Sequence, residues 1–400
     1  MLRDENGESG LTGHYYNGPV PQGEPVQVRT DRTVNFNWIF ALPHPALDAN
    51  CFSVVWTGSV VMPRTMDGCI GLSTQDSMRL YVDDKLLIDG WGKDKSADQA
   101  LDFHFEAGRT YKIRIEFVND RRGARVIFGY SAGRENFPAA VEAARKADVA
   151  ILCMGDNEET SGENFDRTDL NLPGRQLELV QAVYATGTPV VLVLQSGRPV
   201  TANWENDHLP AILEAWFPGE QGGTAIAKTL FGDAAPGGRL PITFPRSVGQ
   251  IPCHYSRRPG GGKRYVEMDW LPLYPFGYGL TYTTFAYRDM ALSRSVIDPQ
   301  DTVTVSVTVT NTGKYTGDAV PQLYVRDMFS SVVKPERQLA AFRRLTLAPG
   351  ESRRVELTVG PKQLRTLGPD YVWRVEPGKF ELQLGDNAEN ILLRADLTVE

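Results

Sequence analysis

The sequence predicts a multidomain protein combining all-β and α/β parts: a β-sandwich, a partial open parallel α/β sheet and a C-terminal β-sandwich. Three observations predict it. Residues 10–132 run in short Val-, Ile-, Phe- and Tyr-rich stretches between turn signals, with no long helical period. Residues 138–245 alternate apolar runs with helical spacings. Residues 302–310, TVTVSVTVT, alternate strictly, and Pro-Gly punctuation lies downstream. A chain of 400 residues is also too long for one ordinary core.

In the first region, Cys51 to Trp56, Arg79 to Val82, Lys85 to Asp89, Tyr111 to Val118 and Ala124 to Tyr130 read as strands. Asp83-Asp84 between two of them reads as a tight hairpin turn, because Asp tolerates left-handed backbone. Trp38, Trp56 and Trp91, with Tyr15, Tyr16 and Phe36, are candidates to stack on sugar rings and equally candidates for the core. Asp76, Asp83, Asp84 and Asp89 suggest either a calcium site or, more simply, hairpin residues. Cys51 and Cys69 could pair in a disulfide or stand as separate thiols.

In the second region, Pro138 starts a helix over Ala139 to Ala147. Val149 to Met154, Pro189 to Leu194 and Ala211 to Phe217 read as strands apolar on both faces, with helices over Gly174 to Ala185 and Glu220 to Phe231. Cys153 lies inside the first run and reads as a small buried residue. Only three strands are visible, where an open doubly wound sheet has about five or six. Half a sheet would leave backbone and apolar surface uncovered at one edge.

The loop after the first of these strands holds Asp156, Glu158, Glu159 and Glu163 before its first basic residue. Carboxylates delivered to the carboxyl end of a parallel sheet are placed for acid/base chemistry. Taken alone, the loop reads more simply as a solvated acidic turn. Residues 245–284, rich in Pro, Gly and Tyr, read as an extended connector. Within it Gly260-Gly261-Gly262-Lys263 lacks the spacing of a phosphate loop. After residue 286 the runs Val320 to Val325, Arg353 to Val359 and Lys379 to Leu384 complete a small sandwich.

Composition narrows the function. The formal net charge of −7 and the lack of a basic stripe argue against a nucleic-acid partner. No apolar run approaches the ~20 residues of a membrane span, and the polar, acidic residues 1–20 do not read as a signal peptide. Four scattered cysteines and five scattered histidines show no metal-ligand spacing, so no metal and no cofactor are expected.

Ser161-Gly162-Glu163, Phe165-Asp166-Arg167 and 169–173 together resemble the acid/base loop of glycoside hydrolase family 3. The likeness continues in order through 195–199 (QSGRP), 215–223 (AWFPGEQGG), 230–233 (LFGD), 236–241 (PGGRLP) and 274–282 (YPFGYGLTY). Residues 323–325, 337–339 and 373–378 resemble the family's fibronectin type III-like domain. Residues 81–85 and 87–91 resemble the protective-antigen-type β-domain that some members insert. The resemblance implies a protective-antigen-like carbohydrate-binding domain over 10–135 and a partial α/β domain with the acid/base loop over 136–250. A connector over 251–285 and a fibronectin type III-like domain over 286–400 complete the implied arrangement.

The resemblance implies that Glu163 is the general acid/base of a retaining β-glycosidase, most simply a β-glucosidase. Glu158, Glu159, Asp166, Arg167 and Trp91 are candidate substrate contacts. Glu158 and Glu159 are also alternatives for the acid, and Asp166–Arg167 reads more simply as an ion pair that holds the loop. The sequence departs from the family at Asn164-Phe165, where Gly-Tyr is usual, which puts loop flexibility in question. The family's nucleophilic Asp sits on a TIM-like barrel, and the first half of its α/β sheet precedes the inserted domain; neither is recognisable here. Met1 to Glu5 reads as an interior junction, so a C-terminal fragment or one frame of a split gene is expected, inactive by itself. A glycoside or oligosaccharide and the barrel are the implied partners. A noncatalytic carbohydrate-binding protein, a β-xylosidase and an N-acetylglucosaminidase are the alternatives. Self-association and compartment stay open.

Overall fold

The computed structural model describes residues 2–38, 42–74, 76–92, 97–119, 124–131, 137–158, 160–260 and 264–400. The chain forms two compact units, Met1–Asn136 and Phe137–Glu400.

The first unit is two antiparallel sheets around one core. The larger runs Gln27–Asp31, Leu11–Asn17, Phe52–Val61, Thr110–Asn119, Ser77–Val82 and Lys85–Asp89, with Leu2–Arg3 beside Phe52–Val61. The smaller runs Asn35–Trp38, Ala124–Ser131, Met66–Thr74 and Ala97–Phe105. In Thr110–Asn119 the alternation puts Ile113, Ile115 and Phe117 inside. Asp83 and Asp84 form the hairpin turn expected of them, at φ 49° and 62°. Their carboxylates pair with Arg109 at 3.0 Å and Lys112 at 3.0 Å, and Asp89 pairs with Arg79 at 3.1 Å. These are hairpin residues held by cations. Cys69 carries a free thiol, so no Cys51–Cys69 disulfide forms.

The second unit opens with a parallel sheet ordered Ala150–Gly155, Val190–Gln195, Ala211–Glu214. Helices Pro138–Arg145, Gln176–Tyr184 and Gly222–Leu230 lie where the spacing places them, within a few residues. A short helix, Asn203–His208, has no periodic signal and is found only in the structure. Ala150, Val190, Leu192 and Leu194 pack with Val180 and Val183 of the second helix. The opposite face of the first strand is bare: Val149 is 48% and Ile151 44% exposed, and Cys153 is exposed with them. This corrects the expectation of a buried Cys153. Being apolar on both faces marks a strand meant to be covered twice, and these described residues cover one face.

Residues 245–284 contain a 3-10 turn at Val248–Gln250 and otherwise no regular helix or strand among the described residues. They are tied down by Arg257, which pairs with Glu389 at 2.7 Å and Glu336 at 3.2 Å. The C-terminal part is a sandwich. One sheet is ordered Phe285–Leu292, Val303–Asn311, Ser352–Val359; the other Val296–Ile297, Ile391–Val399, Gly378–Gly385, Gln322–Asp327, Gln338–Phe342. Val303, Val305, Val307 and Val309 are fully buried between them. Asn311 ends that strand. Its buried amide donates to the Tyr315 and Leu347 carbonyls at 2.8 and 2.9 Å and accepts from Thr283 and Gly313, which fixes the turn at Asn311-Thr312-Gly313.

Candidate active-site loop

The loop begins where the first parallel strand ends. Gly155 has φ 138°, and a Cβ there would lie 2.0 Å from the Gln195 carbonyl oxygen, so no other residue fits. Gln176 clamps this peptide on both sides, accepting from Gly155 N at 2.7 Å and donating to Gly155 O at 2.8 Å. Asp156 N then donates to Gln195 O at 2.9 Å. The chain therefore leaves the sheet at its carboxyl end in a fixed direction.

Asp156 anchors the rest of the loop. Its side chain is 3% exposed and pairs with Arg167 Nη1 at 3.2 Å, with Arg198 Nε at 3.6 Å from the other oxygen. Thr160 Oγ1 donates to it at 3.0 Å. Arg167 reaches on to Asp169 at 3.4 Å and the Asn171 carbonyl at 2.8 Å. Arg198 donates to the Thr160 and Phe165 carbonyls at 3.4 Å and to Ser161 Oγ at 3.3 Å. Two guanidiniums thus organise the loop around one buried carboxylate. The expected Asp166–Arg167 pair does not form: Arg167 turns inward to Asp156, whose buried charge needs a partner more than the exposed Asp166 does.

Glu163 stands on the outside of this frame. It is exposed, and Asn164 comes next at φ 65°. Phe165 N donates back to Gly162 O at 3.2 Å, closing a turn with Glu163 inside it. Asn tolerates the left-handed region better than most residues, which accounts physically for Asn where Gly is usual. Glu158 is exposed on the same loop, and Glu159 lies outside the described residues. Nothing among the described residues of this unit buries the Glu163 carboxyl.

Trp91 belongs to the first unit, where Arg79 lies over its ring at 4.8 Å. Of the other aromatic candidates, Tyr15 and Trp56 are core: both are fully buried and both donate to Asp31 Oδ2, at 2.5 and 2.7 Å. Phe36 and Trp38 stack against Trp56.

Sequence reasoning missed Glu214, at the carboxyl end of the third parallel strand. Its Oε1 accepts from Trp216 N at 2.9 Å, and its Oε2 is buried with no hydrogen-bond partner among the described residues. Burial pushes this carboxyl up to about 7. The available signal was the one used for the acidic loop: an acid closing an apolar parallel strand.

Comparison with known proteins adds the family. The profile of the glycosyl hydrolase family 3 C-terminal domain matches residues 25–282, and that of a fibronectin type III-like domain matches residues 319–388. A β-xylosidase of Formosa agariphila is 45% identical over 72% of this chain and 42% of its own length. A β-glucosidase of Rhizobium radiobacter is 34% identical over 97% of this chain and 51% of its own length. The crystal structure of a β-glucosidase from Kluyveromyces marxianus superposes with a TM-score of 0.72 at 28% identity, covering 100% of this chain and 52% of that one. The chain spans about half the length of these relatives.

Proposed function

Because the chain belongs to glycosyl hydrolase family 3, we propose that it supplies the acid/base portion of a retaining β-glycosidase acting on terminal non-reducing β-D-glucosyl residues. The observation that carries this reading is the presentation of Glu163. A charge-anchored loop at the carboxyl end of a parallel sheet presents the exposed Glu163 on a turn closed from Phe165 N to Gly162 O, with Asn164 in the left-handed region. In a retaining mechanism one carboxyl attacks the anomeric carbon while a second, roughly 5–5.5 Å away, protonates the leaving oxygen and later deprotonates the incoming water. Glu163 takes the second role.

Asp156 does not serve as the nucleophile, because both its oxygens face guanidiniums that hold it in place. The nucleophile comes from a barrel that joins this chain, in one polypeptide or as a separate one. The 400 residues alone are accordingly inactive. Release of p-nitrophenol from an aryl β-glucoside by the purified chain would overturn that. In the enzyme that carries this chain, Glu163→Gln slows cellobiose hydrolysis by about 10²–10⁴-fold and activated aryl glucosides far less. Equal losses on both would assign Glu163 another role. The 45% identity to a β-xylosidase keeps a β-xyloside as the second reading, decided by comparing kcat/KM on aryl β-xyloside and β-glucoside.

A further inference from the structure

The third parallel strand ends in a turn fixed more firmly than its burial repays. Trp216 has φ 53°, a left-handed backbone that a bulky residue rarely adopts. Two contacts hold it there. Glu214 Oε1 accepts the Trp216 N–H at 2.9 Å. The Trp216 ring meets Phe244 edge-on at 5.7 Å. Beyond it, the Pro218 ring fills the space beside Gly222, where a Cβ would lie 2.5 Å away. Phe217, pinned between Trp216 and Pro218, is 55% exposed. A strained turn that displays an aromatic ring half in solvent is poorly explained by stability, and such strain concentrates at functional sites.

The ring is aimed at the acidic loop. A Cβ on Gly197 would lie 2.7 Å from Phe217 Cε2 and 3.3 Å from Ser161 Oγ, so the ring edge, the Gly197 backbone and Ser161 converge on one spot. Ser161 also accepts from Arg198, the neighbour of Gly197, at 3.3 Å. Ser161 lies two residues before Glu163. Gly197 is therefore the gap through which the ring backs the loop.

We propose that Phe217 is a positioning residue for Glu163: its ring, set by the Glu214–Trp216 turn, braces Ser161 across Gly197 and fixes the direction of the Glu163 carboxyl. This rests on the reading of Glu163 as the acid/base. Amide hydrogen exchange of residues 160–165 in the 400-residue chain tests the brace without any catalysis. Phe217→Ala is expected to speed exchange there about tenfold, while Phe217→Tyr preserves protection. Exchange in Val303–Asn311, remote in sequence, serves as the control. Should Phe217→Ala fail to fold, Phe217→Leu and Gly197→Ala carry the same expectation, the latter because its methyl displaces the ring. Unchanged exchange at 160–165, or equal acceleration in the control strand, overturns the proposal. In the enzyme that carries this chain, Phe217→Ala should lower kcat on cellobiose about tenfold at constant KM. A raised KM at constant kcat would make the ring a sugar contact and overturn the positioning role. Glu163→Gln at full rate on cellobiose would remove the acid/base reading, and the proposal with it, whatever the exchange result.

Discussion

Two strands of the second unit, both rich in apolar residues, meet opposite fates. Val303–Asn311 buries all four of its valines completely between two sheets. Ala150–Gly155 buries one face and leaves Ile151 and Cys153 in solvent. The first strand alternates with Ser and Thr, so its sequence states which face is covered. The second is apolar throughout, so its sequence states that both faces need cover and the described residues supply one. The sandwich is held by buried area. The parallel sheet's end is held by Asp156, Arg167, Arg198 and a clamped Gly155. Substitutions at these two places should therefore differ in kind.

The largest effect is expected inside the sandwich. Val307→Asp places an unpaired carboxylate at a fully buried site and should cost more than about 4 kcal/mol, enough to unfold that part. Loss of the cooperative far-ultraviolet melt is the measurement. A melt within a few degrees of the parent would mean that this core tolerates charge.

Asp156→Ala comes next. It leaves Arg167 and Arg198 facing each other without the carboxylate between them, at about 2–4 kcal/mol after allowing for their partial exposure. Proteolytic nicking of residues 156–171 should rise steeply while the sandwich strands stay protected. If nicking is unchanged, the charges do not hold the loop.

The same contrast separates what was legible in the sequence from what was not. The Val303–Asn311 strand, the Asp83-Asp84 turn and the carboxyl-end position of the acidic loop were readable, because each depends on local alternation or local backbone preference. The partner of Arg167 was not. Proximity in sequence favoured Asp166, and the choice of Asp156 depends on which carboxylate the fold buries. Cys153 was misread because the rule for apolar runs assumes that the cover is present. Helix Asn203–His208 was missed because its six residues, NWENDH, carry no apolar period. The turn at Trp216 was missed because nothing in a tryptophan signals a left-handed backbone.

Glu214 offers a pH-dependent test of the same sheet end. Burial raises its carboxyl from an ordinary 4.5 to about 7 in the folded chain. The folded state then holds a proton that the unfolded chain has released. The stabilisation is complete below about 4.5 and is lost as pH rises to about 7. Glu214→Gln keeps an acceptor for Trp216 N–H and removes the titration. The variant should gain about 2–3 kcal/mol relative to the parent between pH 4.5 and pH 8. Parallel melting curves for the two across that range would show that the carboxyl is solvated in both states.

The smallest effect is expected at the bare face of the first parallel strand. Ile151 is 44% exposed, so Ile151→Ser gives up only part of a core residue's burial and should cost about 1 kcal/mol. Binding of an apolar dye should fall, because Val149, Ile151 and Cys153 together form the uncovered surface. The outcome to watch is a cost comparable to that of a core substitution. That result, with a concentration-dependent melting temperature, would mean that a second copy covers this face in solution, and the bare strand would then be as buried as its counterpart in the sandwich.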